Sequence, residues 1–110
     1  MKIGCECGGS ILDSTDNLSH KAHLILDQDW FNVYDAIDDD VIDPVSEGTL
    51  PKENAYMNAR QIISSRSRLM WQCPACGRLY IDGNEGTLQC FVPATDETDK
   101  RILSARKQSI

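Results

Sequence analysis

Apolar residues recur along this chain with two periods, and the switch between them divides it into a helical middle and strand-forming flanks. Between Gln28 and Ile42, the residues Trp30, Val33, Tyr34, Ile37 and Val41 return every three or four positions, the spacing of one face of an α-helix. Asp27 is a suitable N-cap for that helix, and Asp29 adds negative charge to its first turn. Asp43-Pro44 predicts its end, because proline disfavours helical backbone in the residue before it. A second helix is predicted from Glu53 to Ser65, where Ala55, Ala59, Ile62 and Ile63 share a face. Thr49 would cap it, with Pro51 in the first turn. Outside this middle the apolar runs are short and bounded by turn formers. His20–Leu26, Leu69–Cys73, Arg78–Asp82 and Thr87–Val92 read as strands, and Ser10–Asp13 as a shorter one. The last two long strands are joined by Gly83-Asn84-Glu85-Gly86, a hairpin connection. Alternation along that hairpin places Cys90 with Leu88 and Val92, facing the core.

Helices and antiparallel strands in separate stretches give an α+β fold. At 110 residues the chain is one domain. Its predicted organisation is a body over residues 1–95, an insert over 8–72, and a C-terminal helix or flexible tail over 96–110. In the tail, acids precede bases from Thr95 to Gln108, but the apolar face is thin. No run is long and apolar enough to predict a membrane span. Met1-Lys2-Ile3-Gly4-Cys5 has no apolar stretch of secretory type, so a cytoplasmic location is expected.

Charge is unevenly spread. The formal net charge is −6, and from Ala22 to Pro51 there are eight acids (Asp27, Asp29, Asp35, Asp38, Asp39, Asp40, Asp43, Glu47) with no Lys or Arg. Asp35, Asp39 and Asp43 recur at spacing four, opposite the apolar face of the first helix. Such a face repels nucleic-acid backbone and attracts basic partners.

The chemistry concentrates in cysteine. Four of the five cysteines form two tight pairs, Cys5-Glu6-Cys7-Gly8 and Cys73-Pro74-Ala75-Cys76-Gly77. In a reducing compartment, paired cysteines point to metal binding or redox catalysis before structural disulfides. Catalytic dithiols sit at a helix N-terminus, where the dipole lowers the thiol pKa, whereas Cys76 is followed by the strand-like Gly77-Arg78-Leu79-Tyr80-Ile81. A tight turn with glycine after its second cysteine, leading directly into a hairpin, is a zinc knuckle. From Trp71 to Pro93 the chain resembles the zinc-ribbon class, and its first ten residues match more loosely, with one residue between the cysteines where the common pattern has two. The resemblance implies one structural zinc ion on Cys5, Cys7, Cys73 and Cys76. Four thiolates close a tetrahedral site and leave no position for substrate. His20 and His23 are read as structural, with His23 in reserve as a ligand. Cys90 could instead back up the metal site.

No Gly-rich phosphate loop, His-Glu-x-x-His helix or Gly-x-Ser-x-Gly elbow is present in the sequence. The expectation is therefore a non-enzymatic protein whose acidic helix, through Asp35, Asp39 and Asp43, engages a basic protein partner. Its size and charge match the general profile of small immunity or inhibitor proteins. The alternative is a nucleic-acid-associated zinc ribbon, using Arg66, Arg68 and Arg78 with Trp71 and Tyr80 nearby, although sheet packing is the favoured reading of the two aromatics.

Overall fold

A computed structural model of the chain describes residues 1–105. The fold is α+β, and it divides into two compact units: Met1–His23 with the segment from Leu69 onward, and Leu24–Arg68.

The first unit holds two antiparallel sheets. β1 (Lys2–Gly4) and β2 (Ser10–Leu12) form a hairpin in which Ile3 lies opposite Ile11. The larger sheet has the order β3-β4-β5-β6, formed by Lys21–Ile25, Ser67–Gln72, Leu79–Asp82 and Leu88–Phe91. Its register places Trp71 opposite Tyr80, and Tyr80 opposite Cys90. Period-two alternation puts Leu69, Trp71 and Cys73 on one face, where they cluster with Tyr80, Ile3, Ile11 and Cys5. Ile11 and Cys73 are wholly buried, and burial of the Ile11 side chain contributes about 1.5–3 kcal/mol. The Trp71 indole N–H donates to Asp13 at 3.0 Å, and Asp13 also pairs with Lys21 at 2.9 Å. Buried Gln72 donates through its side-chain amide to the carbonyl oxygens of Gly77 and Asp99, which holds the C-terminal segment in place.

The predicted strands therefore form, with boundaries shifted by a residue or two. The inward placement of β6 does not. All four of its residues are exposed, including Cys90. Cys90 lies opposite Tyr80 in the register, but β6 is the outermost strand and lies beside the core rather than over it. Residues 95–105 form turns and bends rather than a helix, and the rest of the predicted C-terminal segment lies outside the described residues.

The second unit is helical. α1 (Asp27–Ile37) runs into a π-helical turn (Asp38–Ile42) and then α2 (Asp43–Ser46); α3 (Lys52–Ser65) follows. Three points differ from the sequence reading. Leu26 occupies the N-cap position and Asp27 is already helical, so Asp27 stabilises through the helix dipole and not as a cap. Pro51 precedes α3, while the Thr49 hydroxyl donates to the Pro44 carbonyl at 3.1 Å. Pro44 does not stop the first helix. It falls in the first turn of α2, just after the π-helical turn, where its missing N–H is not required. Val33, Val41 and Ala55 are buried, whereas Trp30 and Tyr34 of the predicted apolar face remain 42 % and 47 % exposed. Arg66, just past α3, pairs with Asp29 of α1 at 3.1 Å.

Candidate metal centre

Two hairpin turns carry the paired cysteines. In the β1–β2 turn, Cys5 N–H donates to Gly9 O at 2.9 Å and Gly8 N–H to Cys5 O at 3.0 Å. The first pair thus lies on a tight turn, and Gly8 takes the left-handed φ of 94° that closes it. In the β4–β5 turn, Cys73 N–H donates to Arg78 O at 2.9 Å and Gly77 N–H to Cys73 O at 2.8 Å. Gly77 has φ 85°, as the knuckle pattern requires. Turns of this shape aim backbone N–H groups at sulfur. Gly9 N–H reaches the Cys7 sulfur at 3.4 Å, the N–H groups of Ala75 and Cys76 reach Cys73, and that of Arg78 reaches Cys76.

All four Sγ atoms lie within 4.8 Å of one another. Cys5 and Cys76 are 3.5 Å apart at sulfur, and Cys7 and Cys73 are 3.7 Å apart. A tetrahedral site with metal–sulfur bonds of about 2.3 Å places its sulfurs about 3.8 Å from each other. The separations fit such a site, so these four side chains are positioned to bind a metal ion. Cys5 and Cys73 are buried, Cys76 is half-buried and Cys7 is exposed.

Two side chains beyond the cysteines complete the surroundings. The Tyr80 hydroxyl donates to the Cys5 sulfur at 3.3 Å and accepts from Glu6 N–H at 3.2 Å. The Arg78 guanidinium donates to the Cys76 sulfur at 3.3 Å. Their effect shows in the thiols. Burial pushes Cys5 up, but hydrogen bonds from Tyr80, the Cys7 backbone and neighbouring thiols more than offset it, leaving Cys5 lowered to about 6. Burial dominates at Cys73, which is pushed up to about 11. Cys76 is lowered: burial opposes ionisation, but the backbone and guanidinium of Arg78 outweigh it. Without a cation the cluster cannot ionise throughout, and a bound metal displaces the remaining protons.

The sequence named the four cysteines and missed these two supporting groups. Arg78 and Tyr80 stand two apart in the strand after the knuckle, on one face; only the nucleic-acid alternative places Arg78 in a basic patch beside Trp71 and Tyr80, whereas sheet packing is the favoured reading of the two aromatics. Trp71 and Tyr80 are buried, as sheet packing requires, and Arg66 is engaged by Asp29. His23 is exposed and lies outside the cysteine cluster, and the His20 ring contacts the Leu12 carbonyl oxygen at 2.6 Å. Cys90 is not part of the cluster either.

The three aspartates are all exposed, on successive elements: Asp35 in α1, Asp39 in the π-helical turn and Asp43 at the start of α2. The π register breaks the straight four-residue row. Asp39 and Asp40 line a groove of about 580 Å³ opposite Asn58 and Gln61 of α3. No helix among the described residues is long and apolar enough to cross a membrane.

Neither the curated proteins nor the solved structures contain a match to this chain. A family model does match, over residues 1–98, a span that holds both cysteine turns and the whole helical unit. The chain belongs to that family, the Domain of unknown function (DUF8617).

Proposed function

We propose that this chain is a non-enzymatic binding protein. One zinc ion on Cys5, Cys7, Cys73 and Cys76 stabilises the scaffold, and the acidic helical unit engages a basic protein partner, in the manner of a small immunity or inhibitor protein. The observation that carries this reading is the closure of the cysteine set: sulfur separations of 3.5 and 3.7 Å match the edges of a tetrahedron, and four thiolates fill it. Zinc suits an all-cysteine tetrahedral site, with iron as the chemical competitor. A filled site has no place for substrate, so function moves to the surface.

The surface with the strongest character is the acidic run. Asp29 is held by Arg66, while Asp35, Asp39, Asp40 and Asp43 stay exposed to solvent. Complementary charge mainly speeds encounter between partners. A basic protein that co-purifies with the native chain should associate about tenfold more slowly with the Asp35→Asn/Asp39→Asn/Asp43→Asn variant at low salt. An unchanged association rate would remove the acidic-face reading. The residues behind a nucleic-acid reading are used internally: Arg66 by Asp29, Arg78 by the Cys76 sulfur, and Trp71 by Asp13.

A further inference from the structure

α1 keeps its largest side chains in solvent. Phe31 is 71 % exposed, and Trp30 and Tyr34 of the predicted apolar face stand nearly half in water beside it. The three rings form one cluster. The Tyr34 ring centre lies 5.2 Å from that of Trp30, in tilted contact, and 6.1 Å from that of Phe31, edge to face. Val33 carries the buried side of the helix. Apolar side chains exposed singly need no explanation, whereas a contiguous cluster marks an interaction surface.

Acids frame the rings. Side chains three or four residues apart on a helix are neighbours. Asp27 and Asp35 therefore lie one turn before and one turn after Phe31, and Asp38 one turn after Tyr34; all three are exposed. No Lys or Arg occurs from Ala22 to Pro51, so this stretch supplies no cation of its own. α3 gives the contrast: there the exposed Tyr56 ring has the Lys52 ammonium 5.6 Å from its centre.

The chemistry of this face selects its occupant. A second copy would bring like charges together, and an anionic lipid surface or a nucleic-acid backbone would meet the same carboxylates. The complementary partner is cationic and able to use ring faces. A guanidinium does both. It is planar and weakly hydrated, so it stacks flat on an aromatic ring while its N–H fork pairs with a carboxylate. A lysine ammonium is compact and strongly hydrated, and it gains less from the rings.

We propose that α1 docks an arginine-rich segment of the basic partner, with guanidinium groups stacked on Trp30, Phe31 and Tyr34 and paired with Asp27, Asp35 and Asp38. This rests on the basic-partner reading above and adds a division of labour to it. The acids set the rate of encounter. The rings set how long the partner stays and which cation it must carry.

Calorimetric titration of the full chain with an arginine homopeptide and a lysine homopeptide of equal length tests this. The arginine peptide should bind about tenfold more tightly, through contact with more than one ring. Phe31→Ser with Tyr34→Ser should erase that preference and leave the thermal melt unchanged. Phe31→Ser alone, at the most exposed ring, should give an intermediate ratio and keeps the test open should the double variant unfold. Phe31→Tyr with Tyr34→Phe retains both rings and should retain the preference, as should Tyr56→Ser on α3. Equal affinity for the two peptides, or a preference that survives loss of both rings, would overturn the proposal. The acidic-face reading would still stand in that case, provided that the Asp35→Asn/Asp39→Asn/Asp43→Asn variant binds both peptides more weakly. Failure of both peptides to bind at low salt would overturn the two together.

Discussion

Tyr80 shows how much of this site rests on single side chains outside the cysteines. Its hydroxyl bridges the Cys5 sulfur and the Glu6 N–H, joining the β5 strand to the opposite hairpin turn. Tyr80→Phe keeps the ring in the core and removes only the bridge. Metal affinity should fall about 10-fold to 100-fold, as for other groups that orient metal ligands, with the protein still folded when metal is in excess. Competition with a chromogenic chelator measures it, and an unchanged affinity would show the bridge to be incidental. Asp13 gives a second test at this scale. Lys21, then the Trp71 indole, hold its carboxyl below the ordinary carboxylate range. Its folded pKa is depressed, so its stabilisation is present above the unfolded value of about 3.9 and is lost as pH falls through the folded value. The stability difference between wild type and Asp13→Asn should therefore be largest above about pH 5 and shrink toward pH 3. A difference constant across that range would contradict the assignment. Neither role is fixed by the residues next to it in the sequence. A tyrosine two residues from an arginine after a knuckle looks the same whether it faces solvent or sulfur; only the packing of the first hairpin decides.

At the scale of elements, the two turns do the positioning. Gly77 has φ 85°, and a Cβ there would meet Pro93 at 3.3 Å and Lys100 at 3.1 Å. Gly77→Ala should destabilise by about 1 kcal/mol or more, from backbone strain and from those contacts together. Gly4→Ala, with nothing within 4 Å of its Cβ and no positive φ, serves as the control in the same thermal melt. Equal effects at the two positions would refute the turn argument. The knuckle was legible because its demands are local: two cysteines at a set spacing and a glycine that closes the turn. The strands were legible for the same reason, through alternation and turn formers. Helix ends were not. Pro44 reads as a stop in isolation, yet the preceding π-helical turn carries the chain past it, and Asp27 reads as a cap but is already inside the helix. Alternation told which face Cys90 occupies and nothing about its distance from the centre of the sheet, because strand order is not written in a single strand.

For the whole molecule, a metal ion on the four thiols would tie together cysteines that are 66 to 71 residues apart in sequence, counting the close pairs Cys7–Cys73 and Cys5–Cys76. The first unit has a small core, and small domains lean on such staples. The acidic run from Asp27 to Glu47, by contrast, lies wholly in the second unit, and the four thiols lie in the first. Scaffold and surface should therefore separate under mutation: Cys73→Ser should abolish stoichiometric metal and cooperative unfolding of the first unit, while the triple Asp→Asn variant should keep both. Metal analysis of the native chain, purified without chelator, decides whether the staple exists. The clamp predicts one zinc per chain and a large loss of thermal stability when a strong chelator removes it. Protein that carries no zinc or other metal above background, and melts at the same temperature with chelator present, would contradict it.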